Sequence, residues 1–196
     1  MLIPLSRSTL CAATVVEPWQ RERVPYTTAH LLARLRRMPH LRQDIHPTGP
    51  GHLGVAERGI IALVRPDRLR RILSRMLDEN EFLSPYGIRA LSRYHAEHPY
   101  VFHVQGQEYR VDYLPAESNT GMFGGNSNWR GPIWMPVNVM LIRALLQYYL
   151  YYGDNLKDRV PYRFREPVNL FEVSREISTR LQRIFLRGGC DVAPLA

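Results

Sequence analysis

Apolar residues recur at steps of three and four along three stretches of the chain, which is the pattern of amphipathic helices. The stretches are 66–77, 137–152 and 169–187. Their apolar stripes are Leu69, Ile72, Leu73, Met76 and Leu77 in the first, Val137, Met140, Leu141, Ala144, Leu145, Tyr148 and Tyr152 in the second, and Leu170, Val173, Ile177, Leu181 and Ile184 in the third. Gly153 and Gly188 follow the last two stretches and suit helix ends. We therefore predict three helices, each with one face in the core.

The first quarter of the chain has a less regular pattern. A helix is predicted over 27–38, with Thr27 or Thr28 as its N-cap. Its buried stripe is Leu31, Leu32 and Leu35. Residues 1–17 are expected to form the end of a helix with its following turn. Residues 18–25 begin and end with proline and are expected to form a connector.

Between 100 and 113 the period changes, because apolar and polar residues alternate on both sides of Gly106. Alternation of this kind predicts a β-hairpin. Pro85 and Gly87 predict a turn ahead of it, and the prolines and glycines of 46–54 predict a loop. The fold class expected from these patterns is mainly α, with one small hairpin and long loops of the kind that often carry binding chemistry.

Composition narrows the classes of partner. The formal net charge is +8, and Lys157 is the only lysine, so the positive charge is almost all arginine. The arginines are scattered over helical patterns without a continuous basic stripe, which favours solvated helix faces over nucleic acid binding. No apolar run reaches the roughly 20 residues that cross a bilayer, and Arg7 interrupts the only candidate leader. With two cysteines far apart, Cys11 and Cys190, the chain is expected to be cytoplasmic, without a membrane partner.

The segment "GGNSNWRGPIWMPVN", residues 124–138, combines flat aromatic rings with carboxamides and a guanidinium. A sugar ring needs this combination, because its C–H face stacks on an aromatic ring and its hydroxyls bind bidentate partners; a nucleobase can use the same groups. The groups are Trp129, Trp134, Asn126, Asn128, Asn138 and Arg130. An alternative is a buried aromatic corner, with Trp134 under the following helix and asparagines satisfying the backbone. For Trp134 alone, the buried corner is the favoured interpretation. For Asn128, Trp129 and Arg130 together, ligand binding is favoured.

The part of this segment that reads "NWRGPIWMPVN" resembles the helical glycosidases of glycoside hydrolase family 63. The family includes eukaryotic processing α-glucosidase I and bacterial mannosylglycerate and glucosylglycerate hydrolases. The segment "SPYGIRALSRYH", residues 84–95, is similar to the family's "YG(L/I)RSLS" segment, and an acidic "PAES" lies between the two segments, as in the family. The resemblance covers about residues 2–152. The chain looks like a fragment of a larger bacterial member.

The resemblance implies a partial (α/α)6 toroid with a small β-hairpin at its rim. It also implies one partial domain over 1–196, with a divergent loop at 156–168 and an irregular tail at 188–196. The implied reaction is inverting hydrolysis of an α-glycosidic bond, by an acid and a base whose carboxyl groups lie about 6.5–9.5 Å apart. The substrate-binding residues that it implies are Tyr86, Arg89, Asn126, Asn128, Trp129 and Arg130. The expected ligand is a carbohydrate or small glycoside, with glucose, mannose and glycerate conjugates left open.

The chain departs from the family at the catalytic carboxylates. The family's acid is an aspartate upstream of the "YG(L/I)RSLS" segment, and its base is a glutamate downstream of the "WRGP" helix; neither is found at its place here. We expect no catalytic residue in this chain and leave open whether it is an enzyme by itself. Asp112 and Glu117 are the local carboxylates that could substitute. The favoured interpretation of Asp112 is a residue on a solvated strand face. The favoured interpretation of Glu117 is a loop ion pair or an acceptor for a sugar hydroxyl.

Two other functions remain open at this point. One is a non-catalytic carbohydrate-binding or assembly module, which would pair with the remainder of the toroid or with itself. The other, less favoured, is an arginine-rich nucleic acid binder. No cofactor is expected. His95 and His98 have a spacing that suits a metal, but no third ligand is evident, so no metal site is expected. The acidic residues 78, 79 and 81 are interpreted as a rim or partner contact.

Overall fold

The computed structural model describes residues 9–38, 53–114, 133–158 and 168–186 of the chain. Its helices are α1 (Pro18–Arg23), α2 (Pro25–Arg37), α3 (Pro66–Met76), α4 (Met135–Tyr152) and α5 (Leu170–Gln182). Its strands are β1 (Ala13–Val16), β2 (Gly59–Ala62), β3 (Leu83–Ser84), β4 (Gly87–Ile88), β5 (Tyr100–Val104), β6 (Gln107–Val111), β7 (Lys157–Asp158) and β8 (Val168–Asn169). Consecutive strands pair into four antiparallel two-stranded sheets. The described part of the chain is mainly helical, and none of its helices is long and apolar enough to cross a membrane.

Helix α4 is central to the described core. It packs along α5 on one side and against β1 on another. The core residues come from α3, α4 and α5 together: Leu69, Leu73 and Met76, then Leu141, Leu145 and Tyr148, then Leu170, Val173 and Ile177. The three predicted stripes are thereby confirmed in outline. Met140 is an exception, because it is half exposed on the side of α4 that no described element covers.

The predicted end of α4 is confirmed, whereas α5 ends at Gln182, five residues before its predicted end, and Gly188 lies outside the described residues. Gly153 follows α4 with a φ of +54°, a conformation that glycine adopts readily. At the start of α5, the side chain of Asn169 accepts a hydrogen bond from the backbone N–H of Glu172 at 2.9 Å. The Glu172 carboxylate in turn accepts one from the N–H of Asn169 at 2.9 Å. This capping box satisfies two amide groups that the helix itself leaves without partners.

The first quarter of the chain differs from the prediction. Only residues 9–11 are helical before β1, and β1 pairs with β2 from Ala13 opposite Ala62 to Val16 opposite Gly59. Residues 18–25, predicted as a connector, contain α1, whose start is closed by a hydrogen bond from the N–H of Glu17 to Gln20 Oε1 at 2.9 Å. Local periodicity missed the strands because β1 is short and its partner lies more than forty residues away.

Helix α2 begins at Pro25, two residues before the predicted start. The N-cap assignment to Thr27 or Thr28 is therefore wrong. Thr28 lies within the helix, and its hydroxyl donates to the carbonyl of Val24 at 3.1 Å. The predicted stripe consists of Leu31, Leu32 and Leu35. The structure describes the helical backbone at these positions and not their side chains.

Both predicted turns in the middle of the chain are confirmed. Strands β5 and β6 form the hairpin, joined by Gln105 and Gly106 with φ of +50° and +81°. Two successive positive φ angles match the type I′ turn of a two-residue hairpin. Strands β3 and β4 form a second, shorter hairpin around Pro85. Residues 159–167 and 188–196, which hold most of the predicted divergent loop and all of the tail, lie outside the described residues.

Candidate functional site

The two segments that carry the family resemblance meet at the β3–β4 hairpin. The Asn138 side chain, in the first turn of α4, accepts a hydrogen bond at Oδ1 from the N–H of Ile88 at 2.8 Å. Its Nδ2 donates to the carbonyl of Ile88 at 3.0 Å and to that of Trp134 at 3.0 Å. Asn138 is only 1% exposed. One side chain therefore joins the start of α4 to strand β4.

This geometry decides between the two interpretations of Asn138. Both polar atoms of its carboxamide bind backbone groups, and the residue is buried. It satisfies backbone, as in the alternative of a packed corner, and does not offer its amide to a ligand. Trp134 is half-buried at the N-cap position of α4, as expected for a ring that packs beside that helix.

Arg180 holds the same hairpin from α5. Its Nη1 donates to the carbonyl of Ser84, its Nη2 to Glu79 and its Nε to Glu176, each at 2.8 Å. The residue is 3% exposed, and two carboxylates compensate its buried charge, as a buried cation requires. The sequence contained a signal that was missed: Arg180 lies three residues after the buried Ile177 and four after Glu176, on the apolar face.

The turn between the strands is tightly fitted. The Ser84 hydroxyl accepts from the N–H of Tyr86 at 3.0 Å and donates to the carbonyl of Gly87 at 2.8 Å. Gly87 has a φ of +122°, and a Cβ there would lie 2.7 Å from Leu181 Cδ2 and 3.1 Å from Asn138 Oδ1. Only glycine fits both the backbone angle and the space. The turn that contains Tyr86 consequently packs closely between α4 and α5.

Two of the six predicted substrate-binding residues lie within the described residues. Tyr86 is half-buried in the turn, and Arg89 follows β4. Arg89 Nη1 donates to the carbonyls of Glu79 at 3.1 Å and Leu83 at 2.5 Å, so part of its guanidinium braces the hairpin. The other four, Asn126, Asn128, Trp129 and Arg130, lie outside the described residues, as does Glu117.

The described carboxylates near the hairpins have partners in their own chain. Asp112 follows β6 and binds Arg110 Nε at 2.8 Å, with 18% of its side chain exposed. It is not the solvated strand-face residue that the alternation indicated, because it lies one residue past the strand and is half-buried. Glu81 forms an ion pair with Arg75.

The remaining members of the acidic cluster are also engaged. Asp78 Oδ1 accepts from the N–H of Asn80 at 2.8 Å, and Glu79 binds Arg180. Each of these carboxylates thus has a partner within the chain, and the interpretation of the cluster as a rim or partner contact stays a prediction. These carboxylates stabilise the helix end and the hairpin.

The histidines form a local packing motif. His95 is buried, with Nδ1 2.9 Å from the carbonyl oxygen of His98, and the ring of Tyr94 stacks on that of His98 at 4.3 Å. Within the described ranges no group of three His, Cys, Asp or Glu side chains could hold a metal ion.

Beneath the hairpin, the core contains a buried phenol. Within the part of the chain that the structure describes, the hydroxyl of Tyr148 has no hydrogen-bond partner. Burial, and secondarily the neighbouring Cys11, raise the pKa of Tyr148 to about 12. Burial likewise raises the pKa of the Cys11 thiol and that of Tyr152. These groups therefore stay protonated near neutral pH.

The described residues define a mainly α-helical protein with small two-stranded sheets and a core formed largely by α3, α4 and α5. The model of the glycosyl hydrolase family 63 C-terminal domain matches residues 59–167, which is more than half of the chain. The chain therefore belongs to this family. The match includes the β3–β4 hairpin, the β5–β6 hairpin and α4, and hence every predicted substrate-binding position.

Two yeast proteins are similar to the chain. The uncharacterized protein YMR196W of Saccharomyces cerevisiae is 53% identical over 133 residues, which cover 68% of this chain and 12% of that protein. A probable mannosyl-oligosaccharide glucosidase of Schizosaccharomyces pombe is 34% identical over 84 residues, which cover 42% of this chain and 7% of that protein. The chain thus spans a small part of the length of these relatives. No solved structure matches it.

Proposed function

We propose that this chain contributes part of the sugar pocket of an inverting α-glycosidase, built as part of an (α/α)6 toroid. The observation that carries the proposal is the pair of hydrogen bonds between Asn138 and Ile88, at 2.8 and 3.0 Å. They bring the turn of Tyr86 to the start of α4, and the segment with Trp129 and Arg130 directly precedes that start. The similarity to a probable mannosyl-oligosaccharide glucosidase supports an α-glycoside as the ligand.

The proposed pocket uses groups that suit a pyranose. Trp129 and Tyr86 supply aromatic faces for the C–H side of the ring, and Asn126 and Asn128 supply paired donors and acceptors. Arg130 completes the set as a planar fork of donors. Arg89 takes part by donating from Nη2 to a sugar hydroxyl. Its hydrogen bonds to the described residues are made by Nη1.

We propose that the general acid and base lie in other parts of the longer proteins of the family. Inverting hydrolysis needs one carboxyl group that can donate a proton and one carboxylate that can activate water. Among the described residues Asp112, Glu79 and Glu81 are each bound to an arginine, which suits a structural role better than either catalytic role. The 12% coverage of the longer relative leaves ample room for the pair elsewhere.

The first experiment measures both turnover and binding with the purified 196-residue chain. α-Glucosides, α-mannosides and glycosyl-glycerates are tested as substrates and as ligands that raise the melting temperature. We expect no hydrolysis, and a rise in melting temperature with at least one sugar, because a ligand that binds only the folded state stabilises it. Hydrolysis that an Asp112→Asn, Glu117→Gln double variant abolishes would show instead that local carboxylates catalyse.

A matched pair of variants tests the pocket itself. Trp129→Ala is expected to abolish the sugar-dependent rise. Trp19→Ala is the control, because Trp19 lies outside the proposed pocket, 54% exposed on α1 and next to Arg23. Equal loss in both variants would contradict the assignment of Trp129.

A second function, an assembly module, is favoured by one observation. Val139 and Met140 lie 55% and 50% exposed on the central helix, although such residues are usually buried. Exposed apolar residues on one face indicate a surface that another part of the assembly covers. We propose that the rest of the toroid, or a second copy, covers this face. Light scattering tests it: wild-type chain is expected to associate with rising concentration, and a Met140→Gln variant to associate less.

A further inference from the structure

We infer that Asn138 is a positioning residue of the proposed sugar pocket, which fixes the turn of Tyr86 relative to the start of α4. The inference rests on the proposed function, and it adds a role that neither the family match nor the sequence pattern assigns. Asn138 has no polar atom left for a sugar, since Oδ1 and Nδ2 both bind backbone. Any effect of Asn138 on sugar binding therefore passes through the segments that it holds.

The contact fixes orientation as well as distance. The carboxamide of Asn138 pairs with both the N–H and the carbonyl of Ile88, in the way that a neighbouring strand would. Two parallel hydrogen bonds prevent rotation of β4 about either one. A third bond, from Nδ2 to the carbonyl of Trp134, ties the same amide to the N-cap of α4. The side chain is buried, so water does not compete for these bonds.

The opposite side of the turn is held equally closely. Arg180 binds the carbonyl of Ser84, and Gly87 lies against Leu181 with no room for a Cβ. Within the turn, the Ser84 hydroxyl bonds to the backbone of Tyr86 and Gly87. The turn is therefore a rigid unit that is set against α5. Asn138 is the side chain whose described hydrogen bonds connect this unit to α4.

This arrangement makes the placement of the Tyr86 turn relative to the start of α4 depend on one carboxamide. Tyr86 lies two residues before Ile88, and the segment that contains Trp129 and Arg130 leads directly into the helix that begins after Trp134. A shift of β4 against α4 would change the spacing between the two halves of the pocket. Small misplacements of binding groups are known to weaken recognition strongly.

The test compares Asn138→Leu with Gln147→Leu in the full 196-residue chain. Gln147 is a matched control on the same helix, because its Oε1 also accepts a hydrogen bond from a distant backbone amide, that of Val15 in β1, at 3.0 Å. Each substitution removes a carboxamide and leaves a backbone N–H without its partner. Both are expected to lower the melting temperature, but only Asn138 contacts the hairpin that carries Tyr86.

The readout is the dissociation constant for methyl α-glucoside and methyl α-mannoside, measured by calorimetric titration well below the melting temperature of each variant. Asn138→Leu is expected to raise Kd about tenfold, and Gln147→Leu to change it less than about twofold. In a Tyr86→Ala background, Asn138→Leu is expected to have little further effect, because the group that it positions is gone.

The outcomes separate this inference from the proposed function. If wild-type chain binds a sugar and the two leucine variants raise Kd equally, Asn138 is merely structural and the inference is wrong. The same holds if Asn138→Leu acts equally in both Tyr86 backgrounds. If wild-type chain binds neither sugar, the proposed function fails and the inference fails with it.

A milder variant covers the case in which Asn138→Leu does not fold. Asn138→Asp keeps the acceptor for the N–H of Ile88 and loses the two donations, to the carbonyls of Ile88 and Trp134. We expect it to raise Kd by a smaller factor than complete removal of the amide. A folded Asn138→Asp chain with the wild-type Kd would overturn the inference.

Discussion

Gly87→Ala is the substitution for which the structure best defines the expected loss of stability. Gly87 has a φ of +122°, which side chains with a Cβ rarely adopt. The added methyl would also lie 2.7 Å from Leu181 Cδ2 and 3.1 Å from Asn138 Oδ1. Backbone strain of this kind costs about 1–3 kcal/mol, and crowding in a packed site costs about 1–3 kcal/mol more. We expect the free energy of unfolding to fall by about 2–6 kcal/mol.

The chain contains a matched control for the strain alone. Gly106 in the β5–β6 hairpin also has a positive φ, +81°, but a Cβ there would meet nothing within 4 Å. Gly106→Ala should therefore cost only the backbone term, about 1–2 kcal/mol. The difference between the two variants reports mainly the close approach of the β3–β4 turn to α4 and α5, together with the larger φ of Gly87.

Urea unfolding followed by far-ultraviolet circular dichroism measures both variants against wild type. For a chain of this size each kcal/mol also corresponds to a shift in melting temperature of about 2–4 °C. Gly87→Ala should unfold at a clearly lower urea concentration than Gly106→Ala. Equal stability of the two variants would refute the packing of the turn between the helices, since a Cβ is crowded at Gly87 and meets nothing within 4 Å at Gly106.

Three further predictions concern the core and a helix end. Tyr148→Phe is expected to raise the free energy of unfolding by about 1 kcal/mol, because it removes a buried hydroxyl without a described partner. Tyr26→Phe, at an 89% exposed site, is the neutral control. A clear fall in the free energy of unfolding of Tyr148→Phe would contradict the prediction. Stability is expected to fall as pH rises from about 10 towards 12, because the pKa of Tyr148 is raised to about 12 in the folded chain, so the unfolded chain loses its proton first. Urea midpoints across this range should fall less steeply in Tyr148→Phe, and an unchanged slope would count against the raised pKa. Asn169→Ala removes the cap of α5 and should cost about 0.5–2 kcal/mol in the same unfolding assay, whereas an unchanged midpoint would show that the capping box contributes nothing.

The long helices and the hairpin were predictable because their signals are local. The apolar stripe of α3 and the glycine after α4 are visible within one or two helical turns of sequence, and the alternation of β5 and β6 surrounds its own turn. The family resemblance rested on equally local segments, and the match over residues 59–167 confirms it.

The strands β1 and β2 were not predictable in the same way. Each is four residues long, and each owes its conformation to a partner in another part of the chain. The same holds for the two side chains that define the hairpin site. Asn138 stayed open between a ligand amide and a backbone partner because sequence shows only that a carboxamide is present, and Arg180 looked like one more arginine of a helix.

By itself, then, the sequence predicted the three long helices α3, α4 and α5, the turn of the β5–β6 hairpin and the family that the chain resembles. Tertiary structure alone decided that Asn138 bonds to Ile88, fifty residues away, and that Arg180 bonds to Ser84, ninety-six residues away. The physical reason is that helix and turn propensities act between neighbours along the chain, whereas the partner of a buried polar group is chosen by the packing of whole elements.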